Sequence, residues 1–205
     1  MPQSSSYSAN QSALLRRKLR RQRLQLTPQQ RQLAANQALQ RLMPITPRLV
    51  RRLQSRPIKV GVYLDAFGEI PTQPLVNWAY RFGFEVYLPV VKKNNQPLIF
   101  IKIQNRHLRQ LRLVRHRLGM RQPAAGQVIQ ANQLDVLFMP LVAFDQQGYR
   151  MGMGGGFYDR TLAKTKRKPL KIGYAYDFQQ VERLENNPWD IRLDMALTPS
   201  KIWYF

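Results

Sequence analysis

The chain of 205 residues contains no cysteine, which excludes a disulfide framework, a thiolate nucleophile and cysteine-ligated zinc. Its two histidines, His107 and His116, sit in a basic stretch without metal-ligand spacing, so no histidine-based metal centre is expected. No apolar run approaches the ~20 residues that cross a bilayer. Ala13-Leu14-Leu15 is also too short for the apolar core of a signal peptide, so the expected location is the cytoplasm and no membrane partner is expected. Acid is scarce as well: 11 Asp and Glu stand against 33 Lys and Arg, a net charge of +22. Residues 1–56 carry no acid at all, nor do residues 86–134. Such a field attracts polyanions, whether nucleic acid, a nucleoside triphosphate or a polycarboxylate. The plainer reading is a set of solvated basic faces, so charge alone does not decide function.

What is present points to an α/β chain. The length suits one domain with a core that needs no covalent staples. Residues 1–11 (MPQSSSYSANQ) are polar and expected to be disordered. The segment 13–26 reads as a helix with a basic face. Thr27-Pro28-Gln29-Gln30 has the form of a helix start, with Thr as N-cap, Pro at the first position and Gln three residues on. Ala35, Ala38, Leu39 and Leu42 continue it on one stripe, and Pro44 and Pro47 are expected to end it. Strand patterns follow at 58–64 and 84–88, with a helical face of Leu75, Trp78, Ala79 and Phe82 between them, which implies parallel pairing. Residues 98–103 form a further strand pattern, while 104–120 fit no single period. A second unit runs from 134–139 through a glycine-rich loop and a helix from Phe157 to about Lys168 into 171–176.

That glycine loop is the most informative part of the chain. Five glycines fall within Gly148–Gly156, between an apolar run and a helix start. Glycine lets bare backbone N–H groups approach an anion, and Arg150 adds charge there. The loop is neither a Walker A motif nor a Rossmann fingerprint, since no Gly-Lys-Ser/Thr follows and Phe157 takes the third glycine position. Asp159 either caps the following helix or holds Mg²⁺ beside bound phosphates. In the loop 65–72, Asp65 and Glu69 lie past a strand end, placed to read ring N–H donors, to move a proton or to cap the next helix. Asp190 and Asp194 stand four apart near the C-terminus, and nothing local to them favours metal binding. In open parallel sheets ligands bind beyond the carboxyl ends of the strands, which puts loops 65–72 and 140–156 on one edge.

The segments LDAFGEIPT (64–72), EVYLP (85–89), MPLVAFDQQGYRMGMGGGFYDR (139–160) and WDIRLDMALTP (189–199), with LRRKLRRQRLQLTPQQR (15–31), together resemble the 5-formyltetrahydrofolate cyclo-ligase (5,10-methenyltetrahydrofolate synthetase) family over residues 12–200. The resemblance implies a single ATP- and folate-binding α/β domain over 12–205, with a mostly parallel sheet flanked by helices and a helical N-terminal segment. It implies ATP-dependent, Mg²⁺-dependent closure of 5-formyltetrahydrofolate to 5,10-methenyltetrahydrofolate, through phosphorylation of the formyl oxygen, with release of ADP and phosphate. By carry-over, Arg16, Arg150, Met151, Gly152, Met153, Gly154, Gly155, Gly156, Phe157 and Tyr158 would bind ATP. Arg150, Gly154, Gly155, Gly156 and Tyr158 would adjoin the reacting groups. Leu64, Glu69, Met153, Gly154, Gly155, Gly156 and Phe157 would contact the folate, with Glu69 on the pterin, and Asp159 and Asp190 would hold Mg²⁺. The chain departs from the family pattern at Ser12, where a Lys is usual, at Gln122, where Glu is usual, and at Met153, often aromatic or basic. Its basic charge would suit a polyglutamylated folate, and a monomer is expected. The competing reading is a basic nucleic-acid-binding α/β protein without catalytic activity, using residues 16–23 and 92–121. No nucleic-acid module is recognisable and aromatics are not interleaved with the arginines, so nucleic acid is not the expected partner.

Overall fold

Two long helices open the chain, and the second does not stop where its prolines suggest. The computed structural model describes residues 4–53, 57–92, 96–116, 119–165 and 169–205. Helix α1 spans Ser4–Gln25 and thus begins inside the segment expected to be disordered, of which residues 1–3 lie outside the described ones. Helix α2 spans Pro28–Leu53. Its start has the anticipated capping box: the Thr27 amide donates to Gln30 Oε1 (2.8 Å) and the Gln30 amide to Thr27 Oγ1 (3.2 Å). The expectation that Pro44 and Pro47 end this helix is corrected. Both prolines face outward, and the helix carries on because Leu42, Thr46 and Leu49 stay buried on its inner face. The Thr46 hydroxyl donates to the Leu42 carbonyl (2.9 Å) and accepts the Trp78 indole N–H (2.9 Å). Each interior proline costs roughly 3 kcal/mol, and burial of a leucine side chain contributes on the same scale, about 1.5–3 kcal/mol.

The strands follow in order: β1 (Lys59–Gly61), then helix α3 (Gln73–Arg81), β2 (Glu85–Val90), β3 (Ile99–Lys102), β4 (Leu113–Arg115), β5 (Arg121–Pro123), β6 (Val128–Ile129), β7 (Val136–Met139), β8 (Ala143–Phe144) and β9 (Arg150–Met151). After helix α4 (Phe157–Ala163) come β10 (Leu170–Tyr174), β11 (Met195–Leu197) and β12 (Ile202–Tyr204). Eight strands form the main sheet in the order β12-β11-β10-β7-β1-β2-β3-β6. The five central strands, β11 to β2, are parallel, and antiparallel strands close both edges. The anticipated strand–helix–strand units are those joining β1 to β2 and β7 to β10.

Side chains alternate between two cores, as strands covered on both faces require. Val86, Leu88, Val136, Phe138, Ile172 and Tyr174 pack under α2 and α3. Tyr87, Leu137, Met139, Ala175 and Ala196 face the other way, toward Leu162 of α4. The structure adds detail to this outline. The strand expected over 134–139 is β7, the apolar run divides at Pro140, and β8 pairs with β9 in a small hairpin that carries the glycine loop. Helix α4 ends at Ala163 rather than near Lys168, and residues 166–168 lie outside the described ones.

Candidate active site

The strand order itself locates the site. From β1 the chain moves to β2 on one side, whereas β7 continues to β10 on the other. The order therefore reverses between β1 and β7, and the crevice at their carboxyl ends is where an open parallel sheet accepts ligands. The loop after β1 carries Glu69, and the hairpin after β7 carries the glycine loop, so both sequence-derived candidates flank one crevice.

On the β7 side a buried carboxylate builds the frame. Asp145 accepts the amides of Gln147 and Tyr149 on Oδ1 (both 2.9 Å) and that of Leu184 on Oδ2 (3.0 Å), which shapes the β8–β9 turn and fastens the C-terminal segment to it. The Leu193 amide adds a bond to the Gly148 carbonyl (2.8 Å). Beyond β9 the chain surfaces: Gly152, Met153, Gly154 and Gly155 are exposed. Gly154 lies at φ +95°, a region that L side chains disfavour, and a Cβ on Gly152 or Gly154 would meet nothing within 4 Å. A side chain at either position would point into open space. Arg16 from α1 donates through Nε to the Gly152 carbonyl (3.0 Å), which brings the first helix to the loop as the resemblance implied.

Arg150 is not turned outward into the loop. Its side chain is only 5% exposed; Nη2 pairs with Asp159 Oδ1 at 2.8 Å and Nη1 donates to the Ile191 carbonyl. The same Asp159 oxygen accepts the Ile191 amide (3.1 Å), so the segment holding Asp190 is laced to both residues. Asp190 Oδ2 accepts the Asn187 amide (2.7 Å). Among the described residues Asp159 Oδ2 and Asp190 Oδ1 take no hydrogen bond, and no cluster of three or more potential metal ligands occurs. Two hard carboxylate oxygens on adjoining segments fit a Mg²⁺ ion that keeps water and phosphate oxygens as its other ligands. Ser12 donates to Glu185 Oε2 (3.5 Å). The Met151 side chain is buried with Leu19, Val142, Ala143 and Leu184, and its carbonyl accepts the Val142 amide, so it serves the hairpin. Arg160 lies over the Phe157 ring (5.2 Å to the centroid) and donates to the Gly155 carbonyl (2.5 Å), closing the far side of the loop.

On the β1 side the surroundings are drier. Gly68, at φ +77°, lets the loop press against the backbone of Arg23, where a Cβ would come within 3.0 Å. Asp65 turns out to be structural: its Oδ1 accepts the Thr72 amide (2.9 Å) and hydroxyl (2.7 Å) at the start of α3. Glu69 accepts the Ala66 amide (3.0 Å) and otherwise faces Arg23, whose Nη1 stands 3.7 Å from Oε1, too far for a good hydrogen bond. Burial raises the Glu69 carboxyl to about 7, against the opposing pull of that amide and of Arg23. Burial also raises the hydroxyls of Tyr63 and Tyr158, with Glu69 adding to both, while Arg150 pulls Tyr158 down. Tyr158 thus senses both halves of the crevice. Leu64 is half-buried beside the core beneath.

Arg23 is the functional candidate that the sequence reading missed. It is fully buried, donates to the Leu141 carbonyl (3.3 Å), and leaves Nε and Nη2 without a hydrogen-bond partner among the described residues. One sign of this was available: Arg23 stands four residues after Leu19 and eight after Leu15, on the apolar stripe of α1.

Comparison with known proteins identifies the family. The model of the 5-formyltetrahydrofolate cyclo-ligase family matches residues 8–199. The chain is 42% identical over 189 residues to the 5-formyltetrahydrofolate cyclo-ligase of Escherichia coli, covering 90% of this chain and 98% of that one. It is 37% identical over 166 residues to the enzyme of that name from Haemophilus influenzae, covering 78% and 87%. The solved 5,10-methenyltetrahydrofolate synthetase of Aquifex aeolicus superimposes with a TM-score of 0.75 at 29% identity, over 94% of this chain and 92% of that one. A crevice between a glycine loop and a buried glutamate, on this sheet and with these relatives, leads to one conclusion: the chain is an enzyme that belongs to the 5-formyltetrahydrofolate cyclo-ligase family.

Proposed function

We propose that this chain closes 5-formyltetrahydrofolate to 5,10-methenyltetrahydrofolate at the expense of ATP. The supporting observation is the placing of an open, cation-flanked glycine loop and a buried glutamate on opposite lips of one crevice. The pterin ring offers N–H donors that only an acceptor can read, and Glu69 with its wall of tyrosines presents an acceptor in a dry setting. The exposed stretch Gly152–Gly155, with Arg16 on one side and Arg150 beneath, receives the triphosphate. Phosphoryl transfer depends mainly on positioning and on neutralising charge at the transferred group, so this arrangement suits it.

The formyl oxygen attacks the γ-phosphorus and the bond to ADP breaks. N10 then adds to the activated formyl carbon, closing the five-membered ring and giving up its proton to solvent, and phosphate leaves with the former formyl oxygen. Tyr158, between the two halves, orients the formyl group toward the loop. Asp159 and Asp190 are the residues that would hold Mg²⁺, which when bound screens the phosphate oxygens. Arg150 keeps Asp159 in place and adds positive charge under the loop. We take the protein to act as a cytoplasmic monomer, on folates with one or more glutamates; no helix among the described residues is long and apolar enough to cross a membrane.

The direct test is incubation of the purified protein with 5-formyltetrahydrofolate, Mg²⁺ and ATP, following methenyl absorbance and ADP together. Equal amounts of both products are expected. Folded protein that yields neither, or hydrolyses ATP without forming methenylfolate, would remove the reading.

A further inference from the structure

Residues 104–123 are used by no step above, although they hold a cleft of unusual composition. The turn Leu108–Gln110 and the β4–β5 hairpin enclose a cleft of about 420 Å³ lined by Leu108, Arg109, Leu111, Leu113, Arg115 and Arg121. Arg115 and Arg121 are directly opposed across the two strands. Cross-strand neighbours of like charge destabilise a hairpin, and no Asp or Glu occurs anywhere in residues 86–134 to offset them. None of the three arginines has a carboxylate partner among the described residues. Three guanidinium groups around one cleft, with apolar leucines between them, form a receptor for carboxylates on an extended chain rather than for a single compact anion.

The cleft also adjoins the crevice. Gln73, next after the Glu69 loop, accepts the Leu108 amide on Oε1 (2.9 Å) and donates to the Arg106 carbonyl (2.6 Å), fixing the turn beside the start of α3. A Cβ at Gly119, in the hairpin's connection, would lie 3.9 Å from the ring of Phe67, the non-glycine residue at positive φ (52°) in the Glu69 loop. Gln122 of β5 accepts the Val91 amide (3.1 Å) just past the carboxyl end of β2, which holds the hairpin on the ligand-bearing edge of the sheet.

We infer that the cleft bounded by Arg109, Arg115 and Arg121 is the subsite for the glutamyl tail of the folate, and that it takes the successive carboxylates of a γ-linked glutamate chain running out from the Glu69 pocket past Phe67. The inference rests on the folate reading above and gives residues 104–123 their task. The like-charge pair is kept because the tail completes it.

The test compares KM for three 5-formyl substrates: the tetrahydropteroate without glutamate, the monoglutamate and the triglutamate. With the unaltered chain KM should fall along the series, by about tenfold from first to last. In Arg115→Ser/Arg121→Ser that ratio should drop toward one, and Arg115→Lys/Arg121→Lys should keep most of it. A control variant, Arg51→Ser/Arg52→Ser, removes equal charge from exposed positions at the end of α2 and should retain the full ratio. A flat KM series in the unaltered protein overturns the subsite. So does an undiminished ratio in the Arg115/Arg121 serine variant, and so does an equal drop in the control, which would make the effect one of overall charge. Absence of turnover with all three substrates would instead strike the parent reading.

Discussion

The two lips of the crevice are built on opposite plans. After β7 the chain is open to water, with open space beside Gly152 and Gly154, and its main ion pair is made at close range between Arg150 and Asp159. After β1 the chain is dry, and Glu69 and Arg23 stand 3.7 Å apart without fully satisfying each other. A triphosphate brings its own charge and hydration, so a wet, preformed cradle suffices. A neutral pterin ring brings neither, and is distinguished only where water cannot substitute for it. On the proposed function, an incompletely paired buried carboxylate therefore fits the second lip, as a closely paired one fits the first.

The most severe break of this comparison is Asp159→Asn. It keeps the volume beside Arg150 but removes the charge, so turnover should fall by about 10³-fold, and the thermal melt should also fall because the 5% exposed Arg150 loses its charged partner. Near-normal rates would take the metal role away from this lip. Next comes Glu69→Gln, for which the folate KM should rise by about 10–100-fold with the ATP KM unchanged; equal rises in both would show that the lips do not divide the substrates. The same variant tests the acid–base argument. A carboxyl raised to about 7 in the folded state loses stability as pH rises from its unfolded value through 7. Denaturant unfolding at pH 5 and pH 8 should therefore show a drop on the order of 3 kcal/mol that Glu69→Gln abolishes.

Arg23→Met sharpens the point further. Without that cation the Glu69 carboxyl should rise higher still, and the pH midpoint of folate binding, near 7 in the unaltered chain, should move up by about one unit. A midpoint that stays fixed would reduce Arg23 to packing. The smallest expected effect is that of Gly152→Ala, where the new methyl meets open space. The free protein should be unchanged, and only the ATP KM should rise, by roughly threefold to tenfold. No rise would mean that phosphates do not approach this backbone.

The glycine loop was legible because it is local: strand, glycines and helix start are contiguous in sequence, and the strand–helix–strand units around it follow from apolar periodicity. Arg16 was reached through resemblance, and Glu69 first through its place past a strand end, with only its pterin role coming from the resemblance; the structure brings both to the crevice. Arg23 was hidden among neighbours of identical type, since six basic residues between 16 and 23 look alike until one is seen to lie on a buried stripe. The Pro44–Pro47 helix was misread because local propensity is overridden by what Leu42, Thr46 and Leu49 bury. The β4–β5 hairpin had no period to find, because its strands are three residues long and only Pro123 among them is buried. The charge state of Glu69 was invisible, because it arises from walls contributed by segments far apart in the chain.

Arg16 reaches Gly152, while Ile191 closes on both Arg150 and Asp159. The loop proposed to hold the nucleotide is therefore tied to a segment 136 residues before it and to another 41 residues after Arg150, so its shape depends on closures of long loops that carry an entropic cost.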